Sequence, residues 1–442
     1  MKVRFWGTRG SIATPGPGTV HFGGNTSCVE VTTDSGALLV LDCGTGAHPL
    51  AMDLMARSPK PIAASILLGH THWDHIQGFP FFSPAFVKGN SASIYGPKGS
   101  GGSLHHVLAG QMEFTYFPVE LSQLPAAITY HDLTEGIHNI GRTRVIAQFL
   151  NHPAMTLGYR IEADGRSVVY LVDHEPFADE LWRADAEPGR IESILHEGDR
   201  RHAQFMSRAD LVIHDAQYTP EEYPAKKTWG HSTYEYVVKI AAAAGVKRVA
   251  LTHHDPGHDD ACVADIESKA RALAGKIGGG LEVFCAYEGC EIELAERTSL
   301  RPFSPVVPSP TGDTKRRFKV LVVDDHADTL EIIVRALQEH NQYIIDKATS
   351  GPEALRMIDE DPPDLVVLDY KMAGMDGLAV VKTLRANSRT YRLPVLMLTA
   401  MTDEPSTRAG FEAGVTDYVT KPFSIPQLIA RVHACLVRTQ NP

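Results

Sequence analysis

One stretch constrains this chain more than any other: Gly69-His70-Thr71-His72-Trp73-Asp74-His75. An apolar run over residues 64–68 leads into it. That run reads as a buried strand, and the break after it as the strand's carboxyl end. Open sheets place their sites at such ends. Four of the seven side chains are of types that bind transition metals. Alternation along an extended segment sends His70, His72 and Asp74 to one side. His75, one step out of phase, then faces a second ion. A lone histidine is an ordinary polar residue with a hydrogen-bond partner. Three histidines and an aspartate packed directly after an apolar strand are not explained by packing and point to metal.

The pattern recurs downstream. Predicted strands over 144–150, 167–172, 211–213 and 248–251 end in Asn151-His152, Asp173-His174, His214-Asp215 and Thr252-His253-His254. Strand ends at one edge of a layered sheet converge on one cleft, so His70, His152, Asp173, Asp215 and His253 are candidates for a single site. Further strands are expected over 29–31 and 37–41 (a hairpin), 91–95, 157–162 and 281–284, with residues 3–6 as an edge strand. Helices are expected over 103–112, 233–244 and 262–274, and a flexible turn over 99–102. Asp42 ends the hairpin's second strand, where it either orients a metal-bound histidine or caps the next helix. The glycines of His21-Phe22-Gly23-Gly24-Asn25-Thr26-Ser27-Cys28 serve either a tight turn or close approach to a ligand. The aromatic, proline-bearing residues 111–125 suit a substrate wall.

At 442 residues the chain is too long for one core. Residues 301–310 are rich in proline, which sets a domain boundary there. The expected organisation is a domain over 1–296, a linker over 297–316 and a second domain over 317–442. From Phe318 onward 13 basic and 17 acidic side chains leave −4, and the rest of the chain carries −7. Neither part is basic, which argues against bulk DNA or anionic-membrane binding. Of 21 histidines, 18 precede residue 318, so metal chemistry belongs to the first part. Six scattered cysteines without CxxC spacing indicate neither a zinc knuckle nor a disulfide frame. With no apolar leader at the start, a cytoplasmic location is expected.

The His70–His75 motif resembles the His-X-His-X-Asp-His signature of the metallo-β-lactamase superfamily, with the likeness extending over roughly residues 1–295. The resemblance implies an α/β fold of the αββα sandwich type. It implies that His70, His72 and His152 hold one metal, that Asp74, His75 and His253 hold another, and that Asp173 bridges them. His254 is the rival of His253. Zn²⁺ is preferred for this donor set, with Mn²⁺ or Fe²⁺ open. Oxygen-reducing diiron relatives usually carry Glu where His72 stands, so hydrolysis is implied. The ions outweigh the two aspartates in charge, which suits an anionic substrate.

Two further elements, His214-Asp215 and Gly230-His231-Ser232-Thr233, resemble those of tRNase Z-like phosphodiesterases, as does the opening Phe5-Trp6-Gly7-Thr8-Arg9-Gly10-Ser11. This implies His231 as general acid or phosphate ligand with Asp215 orienting it, and Asp74 within the catalytic set. The alternative is that Ser232 or Thr233 caps a helix and His231 faces solvent. The long arm that grips tRNA is not recognisable, so a small cyclic or linear phosphodiester is expected. A lactonase or thioesterase uses the same ligands, and a non-catalytic scaffold binding a phosphorylated ligand is a further alternative.

After residue 318 the periodicity becomes five βα units, a doubly wound parallel sheet. Helices are expected over 329–339, 352–359, 378–385, 404–412 and 425–436. Asp324-Asp325, Asp369, Thr399 and Lys421 fall at strand ends in a pattern that resembles a response-regulator receiver domain. The resemblance implies phosphoryl transfer to Asp369 from a sensor histidine kinase or phosphotransfer protein. It implies Mg²⁺ held by Asp324, Asp325, Asp369 and the Lys371 carbonyl, with Thr399 and Lys421 on the phosphoryl oxygens. Tyr418 occupies the switch position, and a homodimer is allowed. Ala373 stands where the family often has proline.

Overall fold

The structure is a computed structural model that describes residues 1–57, 61–97, 103–294, 317–338, 343–399, 414–421, 423 and 425–438. The chain divides into two compact units, Met1–Pro305 and Val306–Pro442. The expected linker over 297–316, the turn over 99–102 and the helix over 404–412 lie outside the described residues.

The first unit is built on two seven-stranded sheets. One contains β1 (Lys2–Gly7), β2 (Cys28–Thr32), β3 (Leu38–Leu41), β4 (Ala63–Leu67), β5 (Ser91–Pro97), β6 (Ala127–Leu133) and β14 (Glu291–Glu293), in the order β14-β1-β2-β3-β4-β5-β6. The other contains β7 (Gly136–Ile140), β8 (Thr143–Phe149), β9 (Leu157–Ala163), β10 (Arg166–Leu171), β11 (Leu211–Asp215), β12 (Arg248–Thr252) and β13 (Glu282–Cys285), in the order β13-β12-β11-β10-β9-β8-β7. Each sheet is antiparallel on one flank and parallel on the other.

Helices cover the sheets because their apolar stripes need burial. Helix α1 (Ala47–Arg57) buries Leu50, Ala51 and Leu54, and α3 (Leu104–Gln111) buries Leu104 and Leu108, in the core of the first sheet. Helices α4 (Glu197–Met206), α5 (Tyr234–Ala243) and α6 (Asp260–Ile277) pack on the second through Met206, Val237, Ile240 and Ala270. Threonine 233 caps α5 by accepting the Tyr236 N–H, which satisfies one orphan donor of the first turn. The sheets meet through side chains such as Tyr159, whose hydroxyl donates to the Leu68 carbonyl at 2.6 Å, and through the edge contact of Phe5 with Phe284. The unit is thus an αββα sandwich.

Three local expectations are corrected. Strand β1 is not an edge, because β14 pairs on its outer side. Strands β6, β7 and β14 and helix α4 fall where no element was expected. In β6 the exposed Thr129 and His131 alternate with partly buried Ile128 and Tyr130 for too few residues to announce a strand, and exposed Asp132 breaks the period, as an edge position permits.

The second unit has five parallel strands: β15 (Phe318–Val323), β16 (Tyr343–Ala348), β17 (Leu365–Asp369), β18 (Val395–Thr399) and β19 (Asp417–Thr420), in the order β16-β15-β17-β18-β19. Both faces are covered, by α7 (Ala327–Gln338) and α10 (Ile425–Arg438) on one core and by α8 (Gly351–Glu360) and α9 (Gly377–Ala386) on the other. Burial on both faces explains why β17 and β18 read as continuous apolar runs. Among the described residues no helix is long and apolar enough to cross a membrane, and the six cysteines form no disulfide with one another.

Candidate functional site

After β4 the chain does not stay extended. Residue His72 is still extended (φ −65°, ψ 154°), but Trp73–Ile76 closes one helical turn, α2. This corrects the alternation argument. The turn moves Asp74 away from His70 and His72 and sets it beside His75. His70, His72, His152 and Asp173 bring their ligand atoms within 4.8 Å of one another, and so do Asp74, His75 and His253. A third such group is Asp173, His231 and His253.

Asp173 joins these groups. Its Oδ2 lies 3.4 Å from His70 Nε2, 3.3 Å from His75 Nε2 and 3.6 Å from His152 Nε2. Its Oδ1 lies 3.1 Å from His253 Nε2. All are buried except His72, which is exposed and stands 3.4 Å from His152 Nε2.

The ring orientations follow from what the other nitrogen meets. His75 Nδ1 donates to Asp42 Oδ2 at 2.7 Å, and the same carboxylate accepts from Tyr170 Oη (2.6 Å) and the Gly69 N–H (2.7 Å). His152 Nδ1 faces the Gly230 carbonyl at 3.1 Å. His253 Nδ1 faces Gln217 Oε1 at 2.8 Å. A carbonyl or carboxylate oxygen only accepts, so each Nδ1 carries the hydrogen and each Nε2 is left bare toward Asp173 when neutral. Among the described residues neither ring nitrogen of His70 finds a hydrogen-bond partner.

Backbone strain collects here. Asp42 (φ 58°), Asp173 (φ 66°) and His253 (φ 59°) are all left-handed non-glycine residues. Ser11 (φ 62°) is another, and its N–H donates to Asp74 Oδ2 at 2.8 Å. Each such residue costs about 1–3 kcal/mol, tolerated where surrounding structure over-determines it. Gly230 (φ 90°) has no room for a side chain, since a Cβ would sit 2.1 Å from His152 Nδ1.

Burial first, then the neighbouring imidazoles, push His70 well below its ordinary range, and burial takes His152 to about 3. Burial opposes ionisation of Asp173, but His253, His75 and His231 hold its carboxyl well below the usual range. For His75 burial opposes the charge, yet Asp74, Asp42 and Asp173 raise its pKa well above normal.

His231 is 7 % exposed and does not face solvent. Its Nδ1 stands 3.6 Å from Asp215 Oδ2 and 3.8 Å from Asp173 Oδ1, ion-pair rather than hydrogen-bond distances. Burial opposes its charge, and Asp173 and Asp215 together raise its pKa. Asp215 is fixed by backbone: Oδ1 accepts the His174 N–H at 3.0 Å and Oδ2 the Ser232 N–H at 2.9 Å. His254 lies elsewhere, with Nε2 on the Ala286 carbonyl at 2.9 Å and its ring against Phe22.

Behind Asp215 lies a second histidine layer, in which His202, not anticipated from sequence, joins the strand-end residues His174 and His214. His174 and His202 stack at 3.6 Å between centroids, and His202 Nε2 meets His214 Nε2 at 2.8 Å. Tyr236 donates to Asp199 Oδ1 at 2.6 Å, and burial lifts Asp199 to about 7. Gln217, also missed, was findable as a polar residue just past a strand end. Arg9 pins the glycine segment as a turn, donating from Nε to the Gly23 carbonyl (2.8 Å) and from Nη1 to that of His258 (2.6 Å).

In the second unit Lys421 Nζ lies 2.7 Å from Asp369 Oδ1 and 2.9 Å from Asp324 Oδ2. Asp325 Oδ2 accepts the Ala373 N–H at 2.8 Å, and Oδ1 meets His326 Nδ1 at 2.9 Å. Asp324, Asp325 and His326 are grouped closely enough to hold a cation. Burial raises the pKa of Asp369, against the opposing pull of Lys421. Thr399 ends β18, Lys371 follows β17 on the surface, and Tyr418 is half-buried in β19.

Comparison with known proteins follows this division. The beta-lactamase superfamily domain matches residues 38–254, and the response regulator receiver domain matches residues 320–433. Response regulator MprA of Mycobacterium ulcerans is 43% identical over 122 residues, which is 28% of this chain and 51% of that protein. The chain thus spans about half the length of the curated relatives it matches. The metallo-beta-lactamase fold protein YhfI of Bacillus subtilis is similar in structure, with 18% identity, a TM-score of 0.46, and coverage of 66% of this chain and 99% of that one. Human tRNase Z, short form, is similar at 21% identity and a TM-score of 0.44, covering 67% of this chain and 100% of that one. The chain joins a beta-lactamase superfamily domain to a response regulator receiver domain.

Proposed function

We propose that this chain is a response regulator whose output is a binuclear metal-dependent hydrolase, a phosphodiesterase for a small cyclic or linear phosphodiester. The observation that carries the reading is the set of three imidazoles, His75, His152 and His253, whose Nδ1 hydrogens are committed and whose Nε2 atoms surround Asp173. The donor set fits divalent ions: the buried His70 nitrogens have no hydrogen-bond partner, a costly arrangement unless a cation meets them. His70, His72 and His152 would hold one ion and Asp74, His75 and His253 the other, with Asp173 shared. Mixed nitrogen and oxygen donors favour Zn²⁺, then Mn²⁺ or Fe²⁺. When bound, such a pair supplies Lewis-acid charge and an activated water at neutral pH.

The chain's own side chains do the rest. Asp173 and Asp215 favour the protonated form of His231, so His231 can give a proton to the leaving oxygen. Burial opposes ionisation of Asp215, but His214 and His231 hold its carboxyl below the usual range, and the two backbone amides keep it still. Asp369 accepts a phosphoryl group from a histidine kinase or phosphotransfer protein, beside Mg²⁺ held by Asp324, Asp325 and the Lys371 carbonyl. Lys421 and Thr399 take the phosphoryl oxygens and Tyr418 responds. Covalent linkage of the two domains motivates control of hydrolysis by this event.

The test is metal analysis of the full chain with a panel of phosphodiesters and acyl esters. Two equivalents of metal, turnover of phosphodiesters only, and loss of turnover with retained metal in His231→Ala are expected. A chain that stays metal-free when zinc, manganese and iron are supplied sinks the reading. Identical rates and oligomeric state with and without a phosphoryl mimic sink the regulatory half.

A further inference from the structure

Of the chain's four tryptophans, Trp6 is buried and Trp182 packs against a core, whereas Trp73 is 77 % exposed and Trp229 is 56 % exposed. Both open indoles sit beside the histidine groups. Trp73 lies between His72 and Asp74. Trp229 precedes Gly230, whose carbonyl is 3.1 Å from His152 Nδ1. His72 is the exposed member of its group, so the site opens on this side. Single exposed aromatics are ordinary, but Trp229 is tied to the site by Gly230 on one side and by Lys226 and Tyr218 on the other.

The segment carrying Trp229 is held in place. Buried Glu175 accepts from the Thr228 N–H (2.7 Å), the Gly230 N–H (2.9 Å) and Tyr223 Oη (3.1 Å). Thr228 holds a left-handed φ of 74°, a strained conformation kept at this place. Lys226 Nζ lies 4.2 Å from the Trp229 ring centroid and 5.9 Å from that of Tyr218, whose ring is 5.8 Å from His231. Among the described residues Lys227 pairs with Asp179 at 2.8 Å, while Lys226 pairs with no carboxylate. Its ammonium stands over one face of the Trp229 ring with no carboxylate beside it.

We infer that Trp229 and Lys226 form a subsite at the mouth of the histidine cluster for a planar ring carrying negative charge, the ring stacked on the indole and the anionic group on the ammonium. The inference rests on the hydrolase reading and adds a preference that reading leaves open, for ring-bearing over alkyl phosphoesters. Stacking is indifferent to the ring's identity, since any aromatic has a π-face. Specificity for one ring is therefore not built here.

The experiment titrates the metal-loaded full chain with phenylphosphonate and with methylphosphonate, two non-hydrolysable probes, by calorimetry. The ring should tighten binding about tenfold. Trp229→Ala should bring the two dissociation constants within about twofold of each other, leaving that of methylphosphonate and the metal content unchanged. Lys226→Gln should weaken both probes several-fold and keep the ring preference. Equal binding of the two probes by the wild type, or a ring preference that survives Trp229→Ala, overturns the subsite. A chain that keeps the ring preference but turns over no phosphodiester retains the subsite and loses the hydrolase; an active enzyme with no ring preference does the reverse.

Discussion

Two carboxylate clusters sit at strand ends in this chain, and they are neutralised by opposite means. In the receiver domain the protein brings its own cation: Lys421 lies within 2.9 Å of both Asp369 and Asp324. In the sandwich, Asp74 and Asp173 face imidazoles, with the Ser11 N–H also on Asp74, and the Nδ1 positions of His75, His152 and His253 are committed elsewhere. The first arrangement is complete without an ion and admits one by sharing. The second holds only titratable imidazoles, of which His75 and His231 have raised pKa values. Strain follows the same division, with left-handed Asp42, Asp173 and His253 around the sandwich site. A site that must be rigid before its ion arrives stores strain, whereas a pocket that receives a transient phosphoryl group need not.

The largest test of that contrast removes one carboxylate from each cluster. Asp173→Ala should lose both metals by elemental analysis and lower any hydrolysis by about 10³-fold or more, because both groups depend on it. Asp369→Ala should leave the sandwich's metal content intact. If Asp173→Ala keeps two equivalents of metal, the shared-ligand arrangement is wrong.

A subtler break acts through a glycine. Gly230→Ala places a methyl group 2.1 Å from His152 Nδ1 at a φ of 90° that alanine disfavours. The ring must move off the Gly230 carbonyl, and loss of such an orienting contact typically costs 10–100-fold in metal affinity. Competition with a chelator reads this directly. Metal affinity equal to wild type would mean that the carbonyl does not set the His152 tautomer.

The sandwich's second layer can be tested apart from the proposed metal ligands. Asp199 has a folded-state pKa of about 7, raised by burial, against about 4 in an unfolded chain. The folded state keeps a proton that the unfolded state releases, so the Asp199 contribution to stability is full below pH 4 and is lost as pH rises through 7. Asp199→Asn keeps an oxygen for Tyr236 Oη and the Phe177 N–H and cannot ionise. Between pH 5 and 8 the wild type should lose up to about 3 kcal/mol more than the variant, read from urea midpoints with metal saturating. Parallel pH curves for the two proteins would place the Asp199 proton elsewhere.

These residues differ in how far sequence alone reveals them. The density of His70, His72, Asp74 and His75 after an apolar run announces itself, and the strand-end argument also reaches His152, Asp173, Asp215 and His253. Alternation put Asp74 with His70 and His72, because one turn of helix, too short to leave a periodic trace, begins at Trp73. The family resemblance supplied the grouping that periodicity did not. Partners that fix the tautomers are invisible for another reason. The Gly230 carbonyl belongs to every residue type, and Tyr170 reads as an ordinary core aromatic until its hydroxyl is found 2.6 Å from Asp42. Asp199 and His202 lie in a polar helix whose burial comes from the sheet beneath it, a tertiary fact with no local signal. In the second unit nearly everything was legible, since strands buried on both faces and βα alternation repeat one short rule.

The smallest expected effect tests the receiver's self-sufficiency at Ala373. Its N–H donates to Asp325 Oδ2 at 2.8 Å, and this contact is the leading cause of the lowered Asp325 pKa. Proline, frequent at this position in the family, has no N–H to give. The amide therefore compensates part of a charge that a bound Mg²⁺ would otherwise meet alone. Ala373→Pro should free that oxygen and tighten Mg²⁺ about two- to threefold, a small change because Asp325 is largely solvated and its charge already screened. Calorimetric titration of Mg²⁺ into the full chain, its sandwich metals already bound, measures it. Weaker Mg²⁺ binding in the variant would mean that the amide presents Asp325 to the ion rather than competing for it, and that this pocket, like the histidine centre, is preorganised for a cation it does not itself provide.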